Sequence, residues 1–160
     1  MKIYTLTLNP AYDVHAFAES FAPYYENLAQ VQSREAGGKG VNISRALNIG
    51  QIPNTAVIVL GKENGGDFKE SLQQSEIHCI LLEKEGRIRE NLTLHCADAP
   101  ETRISFTGFS VDDSILTEVM DVLKVDGDTV ITFTGRVASG IHMETVKTFL
   151  KEREGEGVTI

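Results

Sequence analysis

Lys39 stands among Gly37, Gly38 and Gly40, directly before the amphipathic run Val41-Asn42-Ile43-Ser44-Arg45-Ala46-Leu47. Flexible backbone N–H groups and one cation therefore gather where a helix begins. The positive end of a helix dipole favours a phosphate or a polar oxygen, and missing Cβ atoms let a ligand approach the backbone. Gly37 to Asn42 is the first candidate for substrate binding, with a tight turn that needs glycine as the plain alternative. A Walker A loop would need Ser or Thr after its lysine and a glycine further upstream, and neither is present. The dinucleotide fingerprint Gly-x-Gly-x-x-Gly fails as well, because Ile43 falls at its last position, which disfavours a Rossmann-type nucleotide regulator.

Asp13 is the next candidate. Lys2 to Leu8 reads as a buried strand halted by Asn9-Pro10-Ala11-Tyr12-Asp13, which puts a carboxylate just beyond a strand's C-terminal end. Ligands of open α/β sheets bind there, and a carboxylate can accept hydrogen bonds from sugar hydroxyls; an Asx turn is the alternative. Arg87, Arg89 and Arg103 bring three cations near Asn91. Solvated strand edges suit Arg87, whereas Arg103 stays open as a phosphate contact. Arg136, in the polar loop Thr134 to Gly140 after a further strand, is a second-tier candidate. His78-Cys79 and His95-Cys96 do not suggest a metal site, since neighbours on a strand point to opposite faces; two free thiols are expected.

These residues need elements to hold them. A helix with Val41, Ile43, Ala46, Leu47 and Ile49 buried and a stop at Gly50, a strand over 55–60, a short helix capped by Asp67 or its neighbour, and a strand over 77–82 give the βαβ rhythm of a parallel sheet. The segment 14–34 loses strong periodicity and reads as short strands or loops outside the main sheet. Arg87 to Ala97 and Thr102 to Phe106 read as an antiparallel hairpin. A surface helix over 111–123, a strand over 129–133 and a helix carrying Met143, Val146 and Leu150 follow, and Gly155-Glu156-Gly157 opens a last strand at Val158.

At 160 residues the chain suits one domain with a real core. A net charge of −8 with no cluster of Lys and Arg argues against a nucleic-acid partner. The N-terminus lacks a signal-like apolar segment and no window approaches a membrane span, so a cytoplasmic chain is expected, without a membrane partner.

Together, Asn9-Pro10-Ala11-Tyr12-Asp13, Gly37-Gly38-Lys39-Gly40-Val41-Asn42, the Gly61 and Asn64-Gly65 turn, and Arg89-Glu90-Asn91 resemble the ribokinase-like (PfkB) sugar kinases over the whole chain, in the branch of 1-phosphofructokinase and tagatose-6-phosphate kinase. The resemblance implies an α/β three-layer core with a small β lid, here from excursions near 14–34 and 87–106, and a homodimer through that lid. It implies transfer of the γ-phosphoryl group of MgATP to a ketohexose phosphate, fructose 1-phosphate to fructose 1,6-bisphosphate being favoured over tagatose 6-phosphate. Asp13, Gly38 and Asn42 would hold sugar hydroxyls, and Lys39 and Arg89 would face the substrate's phosphate. The family's Gly-Ala-Gly-Asp motif, with its catalytic aspartate, has no counterpart in residues 1–160. The chain therefore reads as the N-terminal, sugar-binding part of such a kinase, without the C-terminal nucleotide-binding half and inactive alone; a non-catalytic binding or dimerisation module is the alternative. Three departures stand out: Gln51 and Arg136 at usual glycine and serine positions, and Glu26 and Leu28 where a basic residue is common after the first lid strand.

Overall fold

The computed structural model describes residues 1–156 and 158–160, so Gly157 of the expected last turn lies outside the described residues. Apolar, β-branched segments form a parallel sheet of β1 (Lys2–Thr7), β4 (Thr55–Gly61), β5 (Cys79–Lys84) and β8 (Thr129–Phe133), in the order β5-β4-β1-β8. All of Ala56 to Leu60 is fully buried, as a central strand covered on both faces requires. Val57 and Val59 pack with α3 (Ile115–Val122) and α4 (Met143–Gly155) through Ile115, Val119, Val146 and Phe149. Ala56, Ile58 and Leu60 face the other way, onto Val41 of α1 (Lys39–Ile49) and Phe68 and Leu72 of α2 (Gly65–Gln74). The result is three layers, α/β/α.

A second sheet stands beside this core, in the order β3-β2-β6-β7. β2 (Ala11–Ala18) and β3 (Gln30–Gly37) are antiparallel, as are β6 (Arg89–Cys96) and β7 (Thr102–Ser105), while β2 and β6 run parallel at the centre. The segment 14–34 is thus more regular than its weak periodicity predicts. The expected hairpin over 87–106 is present. After Glu156, Thr159 bridges to Val130 of β8.

Two local expectations change. In α1 the buried residues are Gly40, Val41 and Ser44, and Ile49 is 82% exposed. The cause is close approach to β1: Ser44 Oγ lies 2.7 Å from the Thr5 hydroxyl, and a Cβ on Gly40 would run into Leu6 and Thr7. Small residues four apart make that contact, and the apolar end of the helix is left outside. α2 starts at Gly65 with Asn64 at its N-cap; Asp67 lies inside the first turn and pairs with Arg34 at 2.7 Å.

Candidate substrate-binding cleft

Between the C-terminal ends of the parallel strands and one face of the second sheet lies a cleft of about 540 Å³. Asp13, Lys39, Arg89, Asn91, Arg103 and Arg136 all line it. Strand alternation explains the second sheet's share: Asp13 pairs with Asn91 across β2 and β6, and Asn91 with Ser105 across β6 and β7, so these side chains share a face. Lys39 arrives as the first residue of α1, and Arg136 from the loop after β8.

Asn91 joins the cleft's one lining carboxylate to a cation. Its Nδ2 donates to Asp13 Oδ1 at 3.0 Å, and its Oδ1 accepts from an Arg89 terminal nitrogen at 3.0 Å. Arg89 Nε is buried without a partner among the described residues, as is Thr7 Oγ1. Burial, and next the Arg136 guanidinium, lower the pKa of Arg89 against the pull of Asp13, although a guanidinium stays charged at any physiological pH. Among the described residues no carboxylate makes a salt bridge to Lys39, Arg89 or Arg136. Three cations with one nearby carboxylate form a site short of negative charge.

The glycines serve this arrangement from behind. Gly37 is buried, and a Cβ there would collide with the Asp13 carboxylate. Gly38 caps α1 at φ 122°, which side chains rarely adopt, and the first intrahelical bond of α1 is Asn42 N–H to the Gly38 carbonyl at 2.9 Å. The N–H groups before Asn42 are therefore without α-helical partners. Asn42 itself is exposed, accepts from Arg45 at 2.9 Å, and is not among the residues lining the cleft. Arg103 lies at the rim, 74% exposed, with its charge engaged by Glu101 at 2.5 Å. Arg87 is exposed and outside the cleft.

Residues that sequence reasoning missed hold the two sheets together. The Tyr12 hydroxyl donates to the Asn64 carbonyl, and burial raises its pKa, keeping the phenol a donor. Arg34 lies 3.5 Å over the Tyr12 ring and bridges Asp67 of α2 to Glu90 of β6. His15, Thr93 and Ser105 also line the cleft. Their signal is the alternation that places residues 13, 15, 91, 93, 103 and 105 on one face, and it is readable only once the strand pairing is known.

The model of the pfkB family of carbohydrate kinases matches residues 6–152. The chain belongs to this family. It is 33% identical over 110 residues to the 1-phosphofructokinase of Escherichia coli K12, covering 69% of this chain and 35% of that protein. It is 28% identical over 145 residues to the 1-phosphofructokinase of Bacillus subtilis 168, covering 89% and 47%. Among solved structures, E. coli phosphofructokinase-2 in complex with fructose-6-phosphate matches with a TM-score of 0.89 at 22% identity, over 98% of this chain and 52% of that one, a likeness of fold. This pfkB chain thus spans about a third to a half of the length of the relatives it matches. No helix among the described residues is long and apolar enough to cross a membrane.

Proposed function

We propose that this chain forms the sugar-phosphate-recognition part of a kinase that transfers the γ-phosphoryl group of its co-substrate MgATP to a ketohexose phosphate, fructose 1-phosphate ahead of tagatose 6-phosphate. The observation that carries the reading is the Asp13–Asn91–Arg89 chain of hydrogen bonds in one cleft with Lys39 and Arg136. A sugar phosphate has both halves this cleft asks for. Its hydroxyls donate to Asp13, and its dianionic phosphate neutralises Lys39, Arg89 and Arg136 at the amide-rich start of α1. Each well-aligned charged hydrogen bond contributes about 1.5–3 kcal/mol. Phosphoryl transfer depends on positioning and charge neutralisation, which such fixed groups provide. The 1-phosphofructokinase relatives favour the same substrate class.

The second sheet acts as the lid in this reading, and a second copy of the chain is its partner. Leu28, Val31 and Ile104 of the second sheet and its connections are 85%, 62% and 42% exposed, which gives a dimer apolar surface to cover.

Isothermal titration of the chain with fructose 1-phosphate, tagatose 6-phosphate and unphosphorylated fructose tests the proposal, alongside an ATP-to-ADP assay with each. Saturable binding of a ketohexose phosphate, weakened at least tenfold by Lys39→Ala and absent for fructose, is expected. Equal binding of fructose and its phosphates would overturn it.

A further inference from the structure

His15 follows Asp13 by two residues on β2, so it faces the same side, and it lines the cleft. Its Nδ1 lies 3.0 Å from Nε2 of His95 on β6. The two rings are inclined by only 10°, with centres 5.3 Å apart. For imidazoles whose nitrogens are 3.0 Å apart, that separation is about the largest geometry allows, and it is reached when the N···N vector and both ring centres share one line. The rings therefore meet edge to edge, in plane, as an N–H···N hydrogen bond requires.

Glu101 is the carboxylate on the far side of His95. Its Oε2 is 3.8 Å from His95 Nδ1, and its Oε1 is fixed by two donors of Arg103 at 2.9 and 2.5 Å. A carboxylate on that side favours N–H at His95 Nδ1, which leaves His95 Nε2 as the acceptor. His15 must then donate through Nδ1. Its Nε2, the ring nitrogen not engaged by His95, then carries the lone pair, on a residue that lines the cleft.

We propose that His15 Nε2 accepts a hydroxyl of the sugar phosphate, and that His95, oriented by Glu101, is a positioning residue that holds His15 in this tautomer. The assignment rests on the sugar-phosphate reading above and deepens it by giving the substrate a direction. Asp13 and His15 are two residues apart on one strand, about 6.6 Å along the backbone, and neither is a good neighbour for a phosphate. The phosphate belongs at the end of the cleft formed by Lys39, Arg89 and Arg136, and the hydroxyl-bearing carbons run along β2 toward His15.

Two measurements on the intact chain test this. Long-range ¹⁵N–¹H spectra of the imidazoles should show His15 protonated at Nδ1 and bare at Nε2, with Glu101→Gln and His95→Phe each eroding that preference. Calorimetry should show fructose 1-phosphate binding weakened roughly 3- to 10-fold in His15→Phe, the loss of one hydrogen bond, with binding of inorganic phosphate unchanged. His15 protonated at Nε2, or equal affinity of wild type and His15→Phe for fructose 1-phosphate, overturns this assignment alone. A wild-type chain that binds no ketohexose phosphate overturns the sugar reading and this assignment together.

Discussion

The Asn64 side chain holds Ile88 at both of its backbone groups: Oδ1 accepts the Ile88 N–H at 2.7 Å, and Nδ2 donates to the Ile88 carbonyl at 3.0 Å. Ile88 is buried and immediately precedes Arg89, while the Asn64 carbonyl receives Tyr12, the neighbour of Asp13. One turn of the parallel sheet thus sets the height of both central strands of the second sheet. Asn64→Ala orphans two backbone groups of a buried residue, at a cost of about 2–3 kcal/mol. Thermal denaturation should give a Tm about 4–10 °C lower, and fructose 1-phosphate binding should weaken more than in Asn64→Asp, which keeps the acceptor for the Ile88 N–H.

Gly37→Ala tests the backing of Asp13. The new Cβ meets the carboxylate directly, so Asp13 must rotate away and its 3.0 Å bond to Asn91 breaks. Overpacking of this kind costs about 1–3 kcal/mol. Calorimetry should show sugar-phosphate affinity falling at least tenfold in a protein that still folds; unchanged affinity would remove Asp13 from the site.

Two helices end in side-chain residues where glycine is the usual choice. Gln51 (φ 56°) and Glu76 (φ 52°) follow α1 and α2, and in both cases the 6→1 and 5→2 bonds of a Schellman motif form: Ile52 to Leu47 and Gln51 to Asn48 at 2.9 Å, Ile77 to Leu72 at 3.0 Å and Glu76 to Gln73 at 2.9 Å. A left-handed residue with a Cβ costs about 1–2 kcal/mol, offset in part by glycine's greater freedom when unfolded. Gln51→Gly and Glu76→Gly should each stabilise the chain by about 0.5–1 kcal/mol, read as a rise in the urea midpoint at constant slope.

Asp113 accepts from the His142 backbone N–H at 2.7 Å, from the Thr145 hydroxyl at 2.9 Å and lies 2.9 Å from His142 Nδ1, tying the start of α4 to the turn before α3. These contacts, the His142 N–H foremost, hold its carboxyl below the usual carboxylate range. A depressed carboxylate contributes stability that is fully present above its unfolded value, near pH 4, and is lost as pH falls through the lower folded value. The Tm gap between wild type and Asp113→Asn should narrow as pH falls below about 4. A gap that widens in acid would contradict this.

Much of the charge layout was legible before the fold. Asp13 beyond a strand end, Lys39 among glycines at a helix start, and Arg89 and Arg103 near Asn91 follow from residue type and local spacing, and they meet in one cleft, while Arg87 stays outside it. The parallel sheet was legible too, because its strands are mostly apolar. What local patterns cannot reveal is pairing between distant strands. Residues 14–34 look irregular because the inward face of β2 there is small, with Ala16 and Ala18, while apolar Phe17 points outward, and His15 gains meaning only when β6 brings His95 beside it. Ile49 misled for a related reason: apolar periodicity marks a buried face only where side chains make the contact, and α1 makes it with Gly40 and Ser44.

The parallel pairing of β2 with β6 has a kinetic side. Asp13 and Asn91 are 78 residues apart in the chain, with β3, α1, β4, α2 and β5 between them. Closing so long a loop is entropically costly and slow, so the cleft completes only once the core sheet stands. A ligand that spans the two strands binds the folded chain and not the unfolded one, adding about 2.7 kcal/mol at a hundredfold excess over Kd. Occupancy of the cleft and survival of the fold are therefore one equilibrium, in which ligand supply determines how long the chain lasts against proteolysis.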